Sequence, residues 1–135
     1  LHTLFVRRMT AQESVEDTEM QLLAARKGER LVSFPEGTLT RMPGLFSFHL
    51  GPFLVAAETG HQVVPITIRG TRSILRGGAW YPRRGDIVVN IGDPLVAKGR
   101  DFSAAVKLRD KTRAVMLKAS GEPDLAHERI IVLQT

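Results

Sequence analysis

The chain has 135 residues and no cysteine, which is the scale of one domain and excludes disulfides, thiolate nucleophiles and zinc held by sulfur. A domain this long buries about two-thirds of its surface and needs no metal to fold. Its formal net charge is +5 and its pI about 10.2, favouring an anionic partner: a phosphorylated substrate, an anionic lipid surface or nucleic acid.

The chain opens on Leu1, not Met, and enters the apolar run Leu4-Phe5-Val6 almost at once. A native start usually carries slack before its first strand, so residues are expected upstream. Leu4 to Val6 reads as a strand ending in Arg7 and Arg8. Two guanidiniums fixed at a strand end suit a phosphate, because arginine offers oxyanions a planar fork; two solvated charges are the plainer reading.

Thr10 and Glu13 have capping-box spacing. The helix they start runs through Val15, Leu22, Leu23 and Ala25 and stops at Gly28, with Arg26 and Lys27 in its last turn. Leu31 to Phe34 reads as a second, buried strand that breaks at Pro35 and presents Glu36, Gly37 and Thr38. Ligands of α/β proteins bind outside the carboxyl ends of strands. Glu36 there is placed to bond a substrate hydroxyl, Gly37 allows close backbone approach, and Thr38 adds a donor. Alone, Pro-Glu-Gly is equally a tight turn whose carboxylate caps the next segment.

Gly51 to Thr59 predicts a helix closed by Gly60. Val63 to Ile68 predicts a third strand, which Pro65 marks as an edge or a bulge; the same run could line an apolar slot. Gly77-Gly78 marks a turn and Asp86 to Ile91 a fourth strand. Asp101 or Ser103 caps a last helix over about 102–120, with Ala105, Leu108, Thr112, Val115, Met116 and Ala119 facing inward. Ile130 to Leu133 is an apolar tail. Strands alternating with helices predict an α/β fold, a mixed sheet flanked by helices.

In order, these pieces resemble the lysophosphatidic acid acyltransferase (PlsC-like glycerolipid acyltransferase) family. Leu4-Phe5-Val6-Arg7-Arg8 resembles its second block, with Arg8 at the family's arginine. Phe34-Pro35-Glu36-Gly37-Thr38-Leu39-Thr40 resembles the third, and Val63-Val64-Pro65-Ile66-Thr67-Ile68-Arg69-Gly70 the fourth. Phe46-Ser47-Phe48-His49-Leu50-Gly51 resembles a Phe-Lys-x-Gly stretch with His49 in the lysine's place. The resemblance covers about residues 3–95, within one partial domain over 1–135.

There are two departures. Leu39 stands where the family has arginine, a charge lost unless Arg41 replaces it. The family's first block, His-x-x-x-x-Asp, is absent: five residues after His2, His49, His61 and His127 come Arg7, Leu54, Ile66 and Val132. That catalytic pair is expected upstream, in a domain incomplete at its N-terminus, so this chain alone is expected to be inactive and to belong to a longer polypeptide.

The resemblance implies acyl transfer from acyl-CoA or acyl carrier protein, as co-substrate and with no cofactor, to a glycerol 3-phosphate type acceptor in phospholipid biosynthesis. It implies that Arg8, with Arg7 or Arg41, holds the phosphate, that Glu36, Gly37 and Thr38 place the glycerol, and that Pro65 flanks the acyl chain. The expected setting is cytoplasmic, peripheral to the inner face of a membrane, where Trp80, Tyr81, Arg83 and Arg84 could form an interfacial patch. A sheet with an unpaired edge is expected to dimerise or aggregate. No metal or nucleotide motif is visible, and so few aromatics argue against nucleic acid. The competing reading is a non-catalytic anion- or lipid-binding module within a larger protein.

Overall fold

The computed structural model describes residues 11–37, 42–75 and 80–128. Among the described residues, four helices and four short strands make an α/β arrangement in two pieces of sheet, one parallel and one antiparallel. The predicted strand at Leu4–Val6, with Arg7, Arg8 and Thr10, lies outside the described residues, as do Thr38 and Arg41 and the tail at Ile130–Leu133.

Helix α1, Ala11–Arg26, ends just before Gly28, where φ is +80°. Its buried positions include Asp17, Ala24 and Ala25, while Leu23 is exposed. The small alanines allow α1 to lie close against α2, Gly51–Thr59. Pro52 in the first turn of α2 already has the φ a helix requires.

The predicted strand at Leu31–Phe34 is corrected. The segment has no ladder partner among the described residues, and Val32 and Phe34 are 84% and 76% exposed. Apolar, β-branched composition supplies strand propensity, but a strand forms only where a neighbour completes its ladder. Strand β1 is instead Leu45–Phe46, which the sequence did not announce.

Pro65 acts as its chemistry requires. Val63 exchanges two hydrogen bonds of 2.8 Å with Leu95, the ladder skips the proline, and β2 begins at Ile66 and ends at Arg69. Gly70 then turns the chain at φ +93° into α3, Thr71–Ile74, a single turn that no sequence signal marked. Strand β3, Val88–Ile91, pairs antiparallel with β2 in the register Thr67↔Asn90. This matches the C-terminal part of the expected Asp86–Ile91 strand.

Helix α4, Phe102–Ser120, starts at Asp101, whose carboxylate accepts from the Ala104 amide at 3.0 Å. Of the expected inward face, Ala105, Leu108 and Thr112 are buried and Val115 lies at the exposed boundary. Strand β4, Asp124–Leu125, pairs parallel with β1.

The core gathers where α2 meets α4 and β1: Leu45, Phe48, Phe53, Ala56, Ala57, Ala105 and Leu108. Phe48 and Phe53 stack with centroids 6.2 Å apart and planes 9° from parallel. Burying each such ring stabilises the fold by roughly 2–3 kcal/mol. The cluster adjoins the turn that carries Glu36, because Leu45 of the core is followed by Phe46, whose N–H donates to the Glu36 carboxylate.

Candidate functional site

The Phe34–Gly37 turn is held by three hydrogen bonds from main-chain N–H groups, one of them to the Glu36 carboxylate. Gly37 N–H donates back to Phe34 O at 3.0 Å, closing the turn, and its φ of +72° suits glycine. His49 N–H donates to Pro35 O at 2.8 Å. Phe46 N–H donates to Glu36 Oε2 at 3.0 Å. Glu36 therefore grips β1, as the turn-capping reading requires, while Oε1 bonds nothing among the described residues and is left for another donor.

Behind Phe46 stands a side chain that the sequence analysis missed. Arg113 of α4 donates from Nε to Phe46 O at 2.9 Å and from Nη2 to Leu45 O. The same Nη2 donates to Asp124 Oδ1 at 2.6 Å. The guanidinium joins β1, α4 and β4, and its side chain is only 13% exposed. Asp124 also accepts from Ala126 N–H at 3.0 Å. The hydrogen bond from Arg113 is the main cause that holds the Asp124 carboxyl below its ordinary range, and the Ala126 amide adds to it.

The Phe46 peptide thus has its N–H held by Glu36 and its carbonyl held by Arg113. The sequence signal for this was faint. Arg113 follows Thr112 on the border of the apolar stripe of α4, where a long side chain can lay its stem on the core and keep its head polar.

Pro65 is buried on the opposite flank of α4. With Thr67, Asn90, Gly92, Val115 and Met116 it lines a cavity of about 210 Å³. Its carbonyl accepts from Gly92 N–H at 2.9 Å. Thr67 Oγ1 is buried there with no hydrogen-bond partner among the described residues. No described hydrogen bond joins the Glu36 turn to the Pro65 strand; α4 spans both, with Arg113 toward β1 and Val115 and Met116 toward the cavity. Of the remaining candidates, His49 is exposed, and Arg7, Arg8, Thr38 and Arg41 lie outside the described residues. No group of three histidines, aspartates or glutamates among the described residues could hold a metal ion. No described helix is long and apolar enough to cross a membrane.

The profile of the family described as Acyltransferase matches residues 1–69, from the arginine-ended first run through the Glu36 turn to Arg69. The chain is 34% identical over 98 residues to a chloroplastic 1-acyl-sn-glycerol-3-phosphate acyltransferase of Brassica napus, covering 72% of this chain and 28% of the relative. It is 36% identical over 91 residues to one from Arabidopsis thaliana, covering 67% and 26%. A Chlamydomonas reinhardtii protein of the same description is 42% identical over 52 residues, covering 38% and 16%. The chain thus spans just over a quarter of the length of the first two relatives. No solved structure matches it. On the profile match and these relatives, the chain belongs to the acyltransferase family that includes the 1-acyl-sn-glycerol-3-phosphate acyltransferases.

Proposed function

We propose that this chain carries the acceptor-binding part of a glycerolipid acyltransferase, which moves a fatty acyl group from acyl-CoA or acyl carrier protein to a 1-acylglycerol 3-phosphate type acceptor. The observation that carries the reading is the Glu36 turn. It is pinned through Phe46 and His49, and it leaves Glu36 Oε1 free to accept from a glycerol hydroxyl. The arginines at Arg7, Arg8 and Arg41 supply the positive charge a phosphate needs. Pro65 lines a largely apolar cavity suited to an aliphatic chain.

In the proposed reaction the acceptor hydroxyl attacks the thioester carbonyl. A carbon–oxygen bond forms, the carbon–sulfur bond breaks, and the hydroxyl proton passes through a general base to the leaving thiol. This chain contains no His-x-x-x-x-Asp to act as that base. Its share of the work is therefore to bind and orient the acceptor, with the base on residues outside it, and the whole enzyme acts at the inner face of a membrane.

A radiolabelled acyl-transfer assay tests the division of labour. The chain alone is expected to give no turnover while binding glycerol 3-phosphate. Robust turnover by the chain alone would overturn the assignment of the base elsewhere. The second reading, a non-catalytic anion-binding module, rests on the same missing pair. It is favoured if a polypeptide that contains this chain and its flanking segments binds acceptor and still transfers no acyl group.

A further inference from the structure

The cavity between the β2–β3 ribbon and α4 is not uniformly apolar. Thr67 and Asn90 stand directly opposite each other in the β2–β3 register, so their side chains share one face of the ribbon. Both line the cavity, together with Val115 and Met116 of α4. Thr67 is only 6% exposed, and its Oγ1 has no hydrogen-bond partner among the described residues. Asn90 is exposed, and its side chain makes no hydrogen bond among the described residues. The two polar groups therefore run from the solvent edge of the cavity inward.

A missing side chain keeps the space beside this pair open. Gly92 also lines the cavity, and it is not one of the glycines with positive φ, so its backbone does not require glycine. A Cβ there would lie 3.1 Å from Pro65 Cγ and 3.6 Å from Val115 Cγ1. At about 30 Å³ for each water-sized group, the 210 Å³ holds about seven such groups. No charged side chain lines it, so it cannot take a carboxylate or a phosphate out of water. A buried hydroxyl without a partner is costly, and water meets that need in the free protein. A plain hydrocarbon that enters displaces the water and returns no hydrogen bond, which weakens its binding.

We propose that this cavity binds a hydroxylated aliphatic chain of about seven carbons, whose hydroxyl bonds to Thr67 and Asn90. The chemistry selects a hydroxyl. The threonine hydroxyl and the asparagine amide can each donate and accept, and a hydroxyl between them does both, whereas an ester or thioester carbonyl only accepts. The hydroxyl sits near the solvent edge, beside Asn90, and an acidic head group beyond it stays in water. The binding claim stands on the cavity alone. Its meaning for the reaction rests on the acyl-transfer reading: the acyl group this chain favours is then a hydroxylated one.

The test compares two probes of equal length and charge, 3-hydroxyoctanoate and octanoate, titrated into the isotopically labelled chain. The expected result is saturable shifts of the Thr67, Gly92 and Val115 amides. The hydroxylated probe should bind about fivefold more tightly, the size of one net hydrogen bond. Thr67→Val keeps the branched shape and removes the hydroxyl; it should bring 3-hydroxyoctanoate down to the affinity of octanoate and leave octanoate within about twofold of the parent. Thr67→Ser should restore the preference. Gly92→Ala should weaken both probes. Equal affinity of the parent for the two probes would overturn the proposal, as would no shift at the cavity with either. So would a preference that survives in Thr67→Val. Glycerol 3-phosphate added to the same sample reports acceptor binding at the Glu36 turn, so either conclusion can fail without the other.

Discussion

Replacing Arg113 by alanine should loosen the candidate site without touching any residue that faces substrate. The guanidinium donates to the carbonyls of Phe46 and Leu45, and both residues are buried. A buried acceptor left without its donor costs about 1–3 kcal/mol. The side chain is slightly open to solvent, 13%, so water recovers part of this for one carbonyl. The expected loss is about 2–4 kcal/mol, a large part of the roughly 5–15 kcal/mol that holds an ordinary domain together. With a urea slope of about 1–3 kcal/mol per molar, the midpoint should fall by about 1–2 M. Hydrogen exchange localises the effect: the amides of Phe46 and Gly37 should lose protection more than those in the middle of α2. Arg113→Lys keeps the charge and loses the fork, and should fall between the two. A midpoint shift under about 0.3 M, with protection at Phe46 unchanged, would refute Arg113 as the support of the Glu36 turn.

Further outcomes follow from individual contacts. Glu36→Ala removes the acceptor of the buried Phe46 N–H and should cost about 1.5–3 kcal/mol by chemical denaturation, as hydrogen bonds to charged groups do; Glu36→Gln retains an amide oxygen for that N–H and should recover most of it. Asp101→Ala deletes the cap of α4 and should cost about 1 kcal/mol, read as the same midpoint shift. Gly70→Ala drives a Cβ into Asp86 O at a φ of +93° and should cost about 3 kcal/mol or more in strain and displacement. The Asp124 carboxyl is held below its ordinary range, first by its hydrogen bond from Arg113. Its contribution is therefore present at neutral pH and lost as acid titrates it through its lowered value. The acid limb of the stability–pH curve should flatten in Asp124→Asn; an unchanged limb would contradict the contact.

What could be read from the residues alone divides along physical lines. Helices α2 and α4 were legible because their signals are local: Gly51 to Gly60 carries an N-terminal proline and a C-terminal glycine, and Asp101 caps a stripe spaced by three and four. Pro65 was legible because a missing N–H must interrupt a ladder, and the ladder stops at Val63 and resumes at Ile66. The Leu31–Phe34 strand was not, since its composition says nothing of whether a neighbour pairs with it. Strands β1 and β4 are two residues each, and their pairing joins positions far apart in the chain. Of the site, Glu36 and Gly37 could be read as a turn, and the acceptor-binding use proposed for it comes from the family resemblance. Arg113 could not be read, because its three acceptors lie on two other strands brought to it only by folding.

The most direct test of the account is a titration of the isotopically labelled chain with glycerol 3-phosphate, followed by amide chemical shifts. The account predicts saturable shifts centred on Glu36 and Gly37. It predicts that glycerol without phosphate gives far smaller ones, and that Arg8→Gln weakens binding while leaving the unfolding free energy within about 0.5 kcal/mol of the parent. Shifts absent from the Glu36 turn at saturating ligand, or unchanged by Arg8→Gln, would contradict the assignment of this chain as the acceptor-binding part of an acyltransferase.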